Sequence, residues 1–255
     1  MKDALIPFWT LFTKETIRFL KVWKHTIFAP VLTSFLYLVV FGEALEKHLP
    51  VYAGVSYTNF IVPGLIMMTV LQNAFSNTAS SLIQSKISGN LVFILLPAIP
   101  GPAIAAAYIC ASFVRSAMAG AGVYIVCMVW AAPPVANPFY LVAFAFSGVI
   151  IMASLGLITA LWAEKYDQMG AVMNFVVMPL TFLSGVFYSV DSLPEVWRNL
   201  SLFNPFFYLV DGFRQGFFGT GTTNAALSLV IVGVTALATA AAAVTLMTRG
   251  WKIRA

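Results

Sequence analysis

Six long apolar segments, separated by short polar stretches, form the main pattern of hydrophobic and polar positions along this chain. At ~1.5 Å per residue, a helix made from each segment is long enough to cross a hydrocarbon core of ~30 Å, in some cases with tilt. The pattern therefore predicts an all-α membrane protein in which residues 1–255 form a single transmembrane domain. The six predicted spans are residues 27–45, 57–82, 101–130, 138–162, 169–190 and 224–248.

A different pattern, in which basic and apolar residues are interleaved at helical spacing, occupies residues 5–24. Its basic residues are Lys14, Arg18, Lys21 and Lys24. Such a basic amphipathic helix, with aromatic residues at its apolar margin, is typical of the membrane interface. Two roles are open for it: an anchor that also sets the topology, or a moving element at the cytoplasmic mouth of a transport pathway.

Charges and aromatic residues are mixed between the last two apolar runs, in the stretch DSLPEVWRNLSLFNPFFYLVDGFRQGFFG. Ser192 and Glu195 have capping-box spacing and predict one short helix, and Asn204 followed by Pro205 predicts the start of a second. At ~1.5 Å per residue the second helix is too short for a ~30 Å core, yet it is too apolar for an aqueous loop. We therefore predict that residues 192–218 form a re-entrant pair of helices within one leaflet.

Glycine and proline punctuate the polar stretch between the second and third spans, which reads SSLIQSKISGNLVFILLPAIPGP. This pattern predicts a short helix over residues 84–95 that lies along the membrane surface. Its exposed apolar residues, such as Leu91 and Phe93, need a cover. Either lipid or the groove of a partner protein could supply that cover.

Composition supports the membrane class, because 60% of the 255 residues are hydrophobic and only 9% are charged. The net charge of +5 does not indicate a nucleic-acid partner, since the basic residues lie at the ends of apolar segments rather than in one patch. Lys and Arg are concentrated near both termini and in the loops after the second and fourth spans. By the positive-inside rule, both termini are cytoplasmic and the re-entrant pair faces outward.

No catalytic, nucleotide-binding or metal-binding pattern is found in the sequence. The glycine-rich stretch GTGTTN, residues 219–224, lacks the Lys and Ser/Thr that end a phosphate-binding loop. His25 and His48 are predicted at opposite membrane faces, so they cannot share a metal ion. Cys110 and Cys127 lie in the third span, ~25 Å apart along a helix, which is too far for a disulfide.

Two groups of charged residues inside apolar regions are candidates for function. Arg115, in the third span, either anchors that helix by reaching the nearby cytoplasmic interface or faces a cavity. Asp211 and Arg214 are spaced to meet on one face of the second outer helix. They form either a structural pair or a gate or substrate contact, and the sequence leaves both alternatives open.

With these elements placed, the chain resembles the membrane-spanning permease subunit of an ABC-2 type transporter, a bacterial ABC exporter. The interfacial helix and the six spans match over essentially the whole chain. The loop between the second and third spans resembles the coupling helix of the family, although it lacks the acidic residues that many members have; the similar positions are Lys86, Gly89, Leu91, Leu95, Leu96 and Pro97. The stretch FNPFFYLVDGFRQGFFG resembles the family's NPxxY motif with its following Arg and Gly, here Asn204, Pro205, Tyr208, Arg214 and Gly219.

The resemblance implies half of an exporter, with no cofactor of its own. A separate cytoplasmic ABC ATPase subunit would bind ATP and Mg²⁺. A second permease copy, in a homodimer, would complete the path through the lipids of the bacterial cytoplasmic (inner) membrane. The basic residues of the interfacial helix would gate the cytoplasmic side, and the outer motif, with Asp211, would cap the exit.

The resemblance also implies positions for coupling and for the substrate path. The coupling residues would be Ser85, Lys86, Ile87, Ser88, Gly89, Asn90, Leu91, Val92 and Phe93. The residues suggested for the substrate path are Phe35, Tyr37, Met67, Met68, Asn73, Asn174 and Phe182.

The implied function is ATP-driven export of an amphipathic or hydrophobic substrate, such as a drug, a lipid or a lipid-linked glycan. The chain itself is not predicted to be an enzyme. An intramembrane lipid-modifying enzyme is an alternative that would need polar catalytic groups clustered at one depth. A secondary transporter would call for internal repeats or intramembrane acids. A non-transporting anchor for a cytoplasmic complex would explain the coupling-like loop but not the outer helices.

Overall fold

The computed structural model describes residues 2–46, 54–96, 99–131 and 133–252. In these ranges all the regular elements are helices. His48 and Pro97, which contributed to the metal and coupling predictions, lie outside the described residues.

The helices are α1 (Lys2–Lys21), α2 (Ala29–Leu45), α3 (Tyr57–Ile87), α4 (Leu91–Leu95), α5 (Gly101–Cys127), α6 (Pro138–Trp162), α7 (Tyr166–Val172), α8 (Met178–Phe182), α9 (Glu195–Phe203), α10 (Pro205–Phe218) and α11 (Ala225–Thr248). Two π-helical segments, Lys24–Phe28 and Met173–Val177, lead into α2 and α8. A 3₁₀ turn, Val190–Ser192, precedes α9.

Five helical segments in the described ranges are long and apolar enough to cross a membrane. They are Lys24–Gly42, Tyr57–Ile87, Gly101–Cys127, Pro138–Trp162 and Ala225–Thr248. These correspond to the first, second, third, fourth and sixth predicted spans. The span predicted at 138–162 agrees at both ends with α6, because an Asn–Pro start and a polar Glu–Lys stretch bound its apolar run.

The fifth predicted span, residues 169–190, is not one continuous helix. The helical run through α7 and α8 ends at Phe182, so at ~1.5 Å per residue it is shorter than a ~30 Å core. Gly185 then adopts a left-handed φ of +77°, which an L-residue with a side chain rarely accepts. The prediction of helix up to residue 190 was therefore wrong, because this glycine turns the chain before the apolar run is complete.

Helix α3 lies at the centre of the bundle and packs most extensively against α6 and α5, with α2 and α10 also in contact. Glycines on α6 allow the close approach to α3: a Cβ on Gly156 would lie 2.6 Å from the carbonyl oxygen of Phe75. Most residues along α3 are buried inside the protein. The protein rather than lipid is therefore the environment of its polar side chains.

We call the end of the bundle where α1 packs beside the last turn of α11 the terminal end. Here Leu11 of α1 shares a buried cluster with Tyr108 of α5 and Met247 of α11. Helix α1 is amphipathic, with Phe19 fully buried and Trp9 55% exposed. One of its faces therefore packs on the bundle, and the other is exposed.

The surface helix predicted over residues 84–95 is divided in the structure. Helix α3 continues to Ile87, the chain turns at Gly89 with a φ of +72°, and α4 begins at Leu91. The prediction of one helix was therefore wrong, because a left-handed glycine ends α3. In the short helix that follows, Leu91 is buried whereas Phe93 is exposed.

The two short helices α9 and α10 form what we call the hairpin end. Helix α10 has its predicted bounds, and Asn204 Oδ1 accepts a backbone N–H of α10 at 3.0 Å. The predicted capping box is wrong: the Ser192 hydroxyl donates instead to the carbonyl of Ser189, and α9 begins at Glu195. The proline before Glu195 sets that start with its fixed φ.

Candidate functional site

A cavity of about 350 Å³ lies between α2, α3, α5 and the segment that leads into α8. Exposed residues of the first π-helical segment and of α2 form its rim. The lining residues are His25, Ala29, Pro30, Thr33, Ser34, Tyr37, Met68, Thr69, Gln72, Asn73, Ser76, Arg115, Met173, Met178 and Phe182.

Both π-helical segments border this cavity and contribute His25 and Met173 to its wall. Each segment is followed by a proline in the first turn of the next α-helix, Pro30 and Pro179. Proline has no backbone N–H, so the regular α-helical hydrogen bond is lost at each junction. A π-helical turn holds an extra residue and is frequent at functional sites, because it redirects side chains.

The polar wall of the cavity comes from α3. Thr69, Gln72, Asn73 and Ser76 are spaced as one helix face, and all four line the cavity. The Thr69 hydroxyl is 2.8 Å from the hydroxyl of Ser34 on α2, and its backbone carbonyl accepts the Asn73 amide at 3.0 Å. The face is therefore partly held by hydrogen bonds within the protein and partly turned to open space.

Arg115 reaches this wall from α5 and is only 8% exposed. Its Nε donates to Asn73 Oδ1 at 3.1 Å, and its Nη1 lies 3.5 Å from Asn77 Oδ1. Asn77 in turn donates to the Ser112 hydroxyl at 2.9 Å. Of the two alternatives open from the sequence, the structure favours the cavity-facing one, because the guanidinium is held between two helices rather than extended to an interface.

A second set of contacts connects this network to α1. Arg18 Nη2 donates to the side chain of Asn77 at 2.9 Å and to its carbonyl oxygen at 3.1 Å. Arg18 Nε is 3.0 Å from Glu15, a fully buried carboxylate that also accepts the Ser81 hydroxyl. Lys14 lies 3.6 Å from the other oxygen of Glu15. Polar contacts therefore run from the interfacial helix through Asn77 to the cavity.

Only two of the four basic residues predicted at the cytoplasmic gate take part in these contacts. Lys14 and Arg18 adjoin Glu15, whereas Lys21 and Lys24 are exposed. Sequence reasoning treated all four as surface charges and did not single out Glu15. The available signal was an acid three residues before Arg18 on the helix face that also carries Leu11 and Phe19.

Four of the seven residues suggested for the substrate path line the cavity: Tyr37, Met68, Asn73 and Phe182. The other three lie elsewhere. Phe35 packs on Trp130 with ring centroids 5.0 Å apart, Met67 is fully buried in the core, and Asn174 is exposed.

Sequence reasoning missed much of the polar wall, including Ser34, Thr69, Gln72 and Ser76. A signal for three of them was present, since polar residues recur at helical spacing within the second apolar run. Recognising that this face opens on a cavity required the positions of α2 and α5.

The predicted coupling segment adjoins a groove of about 500 Å³ at the terminal end, lined by Lys14, Arg18, Ser81, Gln84, Ser85, Ser88, Asn90 and Phe93. Lys86 points elsewhere: its Nζ donates to the carbonyls of Leu161 and Ala163, each at 3.0 Å, and so caps the end of α6. Ile87 and Val92 are exposed. The groove places part of α1 beside part of the coupling segment.

At the hairpin end, the protein surrounds Asp211, which is 1% exposed. Its carboxylate accepts the Gln215 side chain, the backbone N–H groups of Thr222 and Thr223, and the Thr223 hydroxyl, at 2.7 to 3.0 Å. It therefore ties the turn after α10 back onto the helix.

Arg214 contacts other neighbours: its Nη2 donates to the carbonyl of Gly185 at 2.8 Å, and the guanidinium lies 3.9 Å from the ring centre of Phe60. In the rest of the motif, Pro205 is the first residue of α10, Tyr208 donates to the carbonyl of Leu202 at 2.9 Å, and Gly219 ends the helix at a φ of +74°. The motif thus connects α10 to α3, to α9 and to the turn after α8.

The described residues contain no group of three or more His, Cys, Asp or Glu side chains arranged to hold a metal ion.

Comparison with protein families and curated proteins gives consistent matches. The family model for the ABC-2 type transporter matches residues 7–218. The chain is 36% identical over 211 residues, 82% of each chain, to the inner membrane transport permease YadH of Escherichia coli strain K12. It is 25% identical over 221 residues to nodulation protein J of Rhizobium leguminosarum bv. viciae, covering 82% of this chain and 83% of the relative. It is also 32% identical over 92 residues, 35% of this chain and 34% of the relative, to the capsule polysaccharide export inner-membrane protein CtrC of Neisseria meningitidis.

Proposed function

Because this chain belongs to the ABC-2 type transporter family, and is therefore a membrane permease subunit of an ABC transporter, we propose that it works as an exporter. It carries an amphipathic or hydrophobic substrate, such as a drug, a lipid or a lipid-linked glycan, out across the cytoplasmic membrane. The single observation that carries this proposal is the cavity, whose wall combines Met and aromatic side chains with amides and hydroxyls. The name of the relative CtrC refers to polysaccharide export, which supports the outward direction of transport.

A cytoplasmic ATPase subunit binds ATP and Mg²⁺ and drives the permease from the terminal end. The groove between α1 and the coupling segment supports this arrangement, because a partner seated there would touch both elements at once. From the groove, the contacts through Arg18 and Asn77 lead to Arg115 in the cavity wall. ATP-driven movement of the partner thus has a continuous route of side-chain contacts to the site.

A second copy of the chain completes the path as a homodimer. The rim of the cavity lies on the side where α2 and the segment before α8 leave large apolar side chains exposed. These include Leu32, Leu36, Val40, Phe175 and Val176. A partner permease on this side would both cover the apolar surface and close the cavity laterally.

Both termini lie in the cytoplasm, and the chain crosses the bilayer six times, the fifth crossing being α7, α8 and the turn that follows. The contact of Arg214 with Gly185 supports this fifth crossing, because Gly185, in the turn after α8, lies beside α10. The test uses Val196→Cys at the hairpin end and Ser88→Cys at the terminal end, both exposed, in a chain with Cys110→Ser and Cys127→Ala. An impermeant thiol reagent should label the first variant in intact cells and the second only after permeabilisation. The reverse pattern would overturn the orientation.

Coupling is tested by finding whether a neighbouring reading frame encodes a protein with a phosphate-binding loop, co-purifying the permease with that protein, and measuring ATP hydrolysis in proteoliposomes. Gly89 has a φ of +72°, which proline cannot adopt and asparagine tolerates, and no atom would obstruct a Cβ there. Gly89→Pro should therefore abolish most of the permease-dependent ATPase rate, whereas Gly89→Asn should retain it. If the two proteins do not associate, or if both variants behave like wild type, the coupling proposal fails.

A further inference from the structure

The charges around the cavity are of one sign. Among its lining residues, all from the described part of the chain, the ionisable groups are His25, Tyr37 and Arg115, and neither Asp nor Glu is present. A guanidinium is always protonated, so Arg115 brings a permanent positive charge to the wall. The cavity therefore favours an anion over a cation.

Among the described residues, no carboxylate forms an ion pair with Arg115. Its hydrogen bonds go to the neutral amides of Asn73 and Asn77, and they use Nε and Nη1. The ion pairs found among the described residues join Glu15 to its two basic neighbours, Asp191 to Arg198, and Glu164 to Lys252, and none of them includes Arg115. Arg18, which pairs with Glu15, contacts the same Asn77 oxygen as Arg115 and adds a second positive charge nearby. A cation buried at this depth is costly unless a counter-charge meets it.

The rest of the wall is apolar and is formed by Met68 of α3 together with residues of the second π-helical segment and of α8. Met68, Met173, Met178 and Phe182 line it, and unbranched Met side chains adapt to acyl chains of varied shape. The rim, at exposed His25, Ala29 and Thr33, is open. An occupant can therefore place a charged group near Arg115 and an apolar chain along the methionines.

We propose that the cavity binds a phosphate or carboxylate group attached to an apolar chain, and that Arg115 is the residue that recognises the anionic group. That this ligand is the exported substrate rests on the proposed function. Binding itself requires only the cavity and is tested on the permease without its ATPase. Asn73 and Asn77 of α3 position the guanidinium of Arg115, which comes from α5, through hydrogen bonds to Nε and Nη1.

The binding test uses isothermal titration calorimetry of the purified permease in a non-ionic detergent. The probe is dihexanoyl phosphatidate, a short-chain lipid with a phosphate headgroup. Dihexanoyl phosphatidylcholine carries the same chains with a zwitterionic headgroup, and inorganic phosphate carries the headgroup alone. The phosphatidate should bind more tightly than either. Equal affinity for phosphatidylcholine would overturn the anionic specificity, and equal affinity for inorganic phosphate would overturn the amphipathic character of the ligand.

Two variants of Arg115 examine its role. Arg115→Gln should weaken phosphatidate binding by about tenfold or more, because a charge-assisted hydrogen bond is lost, while Arg115→Lys should keep part of the affinity. Arg198→Gln, at an exposed arginine of the hairpin end, is the matched control and should bind like wild type. Unchanged affinity in Arg115→Gln would overturn the assignment.

A third variant leaves Arg115 and its hydrogen bonds in place. Gln72 lines the same cavity and takes part in none of the side-chain hydrogen bonds described. Gln72→Glu keeps the shape and adds a negative charge, so it should weaken phosphatidate binding and strengthen binding of decyltrimethylammonium. The inference is overturned if neither affinity moves. Since no ATPase is present, such a result would not bear on the proposed coupling to an ATPase, which the Gly89 experiment tests separately.

Discussion

The cavity region and the hairpin end both bury an arginine among helices, but they treat its neighbours differently. At the hairpin end, Arg214 contacts Gly185 and the ring of Phe60, and the nearby Asp211 accepts four hydrogen bonds. Glycines bring the helices there into close contact. At the cavity, the hydrogen bonds of Arg115 to described residues go to the amides of Asn73 and Asn77, and its guanidinium borders the cavity.

The difference shows that the role of a buried charged side chain depends on how many of its hydrogen-bonding positions are already occupied by the protein. An acid whose oxygens are all used by nearby backbone and side-chain donors contributes to structure, because no capacity remains for a ligand. An arginine whose partners are neutral, and which borders a cavity, retains capacity. Residue type alone does not separate these two cases, but the count of donors and acceptors does.

The largest effect is expected from disturbing the close packing of the hairpin end. A Cβ on Gly212 would overlap the ring of Phe144, which is fully buried and has no room to move. Gly212→Val should therefore lower the free energy of unfolding by about 3 kcal/mol. Denaturant unfolding of the protein in detergent, followed by tryptophan fluorescence, measures this loss.

Gly233 supplies the control, because a Cβ there meets no atom within 4 Å. Gly233→Val changes the helix propensity in the same way without any overlap. A loss of equal size in both variants would show that packing at α10 is not tight.

A smaller effect is expected when Asp211 loses its charge. Asp211→Asn places an amide N–H₂ against donors and weakens up to four hydrogen bonds, so the free energy of unfolding should fall by about 2 kcal/mol. Asp191→Asn is the control, since its ion pair with Arg198 at 3.1 Å is exposed and is expected to contribute less than about 1 kcal/mol. Equal losses would remove the distinction between a saturated acid and a surface one.

The smallest effect is expected at the contact between α1 and the bundle. Arg18→Gln removes one partner of buried Glu15 while Lys14 remains 3.6 Å away. Amide hydrogens in α1 should exchange about tenfold faster, which corresponds to ~1.4 kcal/mol of local stability. Lys21→Gln, on the exposed face, should leave exchange unchanged; if it matches Arg18→Gln, the contact with Asn77 does not hold α1.

Much of the fold could be predicted from the sequence, where one local signal determined the outcome. The length of an apolar run and an Asn–Pro start were enough for α6, and the same start placed α10 correctly. The prediction failed where a left-handed glycine overrode an apolar or helical pattern, as at Gly89 and Gly185. A single sequence does not reveal which glycines adopt a positive φ.

The candidate site was less predictable, because it is formed by residues far apart in the chain. The family resemblance suggested Tyr37, Met68, Asn73 and Phe182, all of which line the cavity. The alternatives for Arg115 could not be separated, since its partners lie about 40 positions earlier, on another helix. Contacts of this kind depend on how helices pack, which local patterns do not encode.

The enclosure of α3 also has a consequence for how the protein is made. Of the five candidate spans, α3 is the least apolar and the most enclosed by the rest of the protein. As the chain emerges from the ribosome, α1 and α2 precede α3, whereas α5, α6 and α10, which pack against it, are made later. Its amides and hydroxyls must therefore enter the bilayer before α5, α6 and α10 can cover them. The helix at the centre of the bundle is thus inserted early but reaches its final surroundings only when most of the chain has been synthesised.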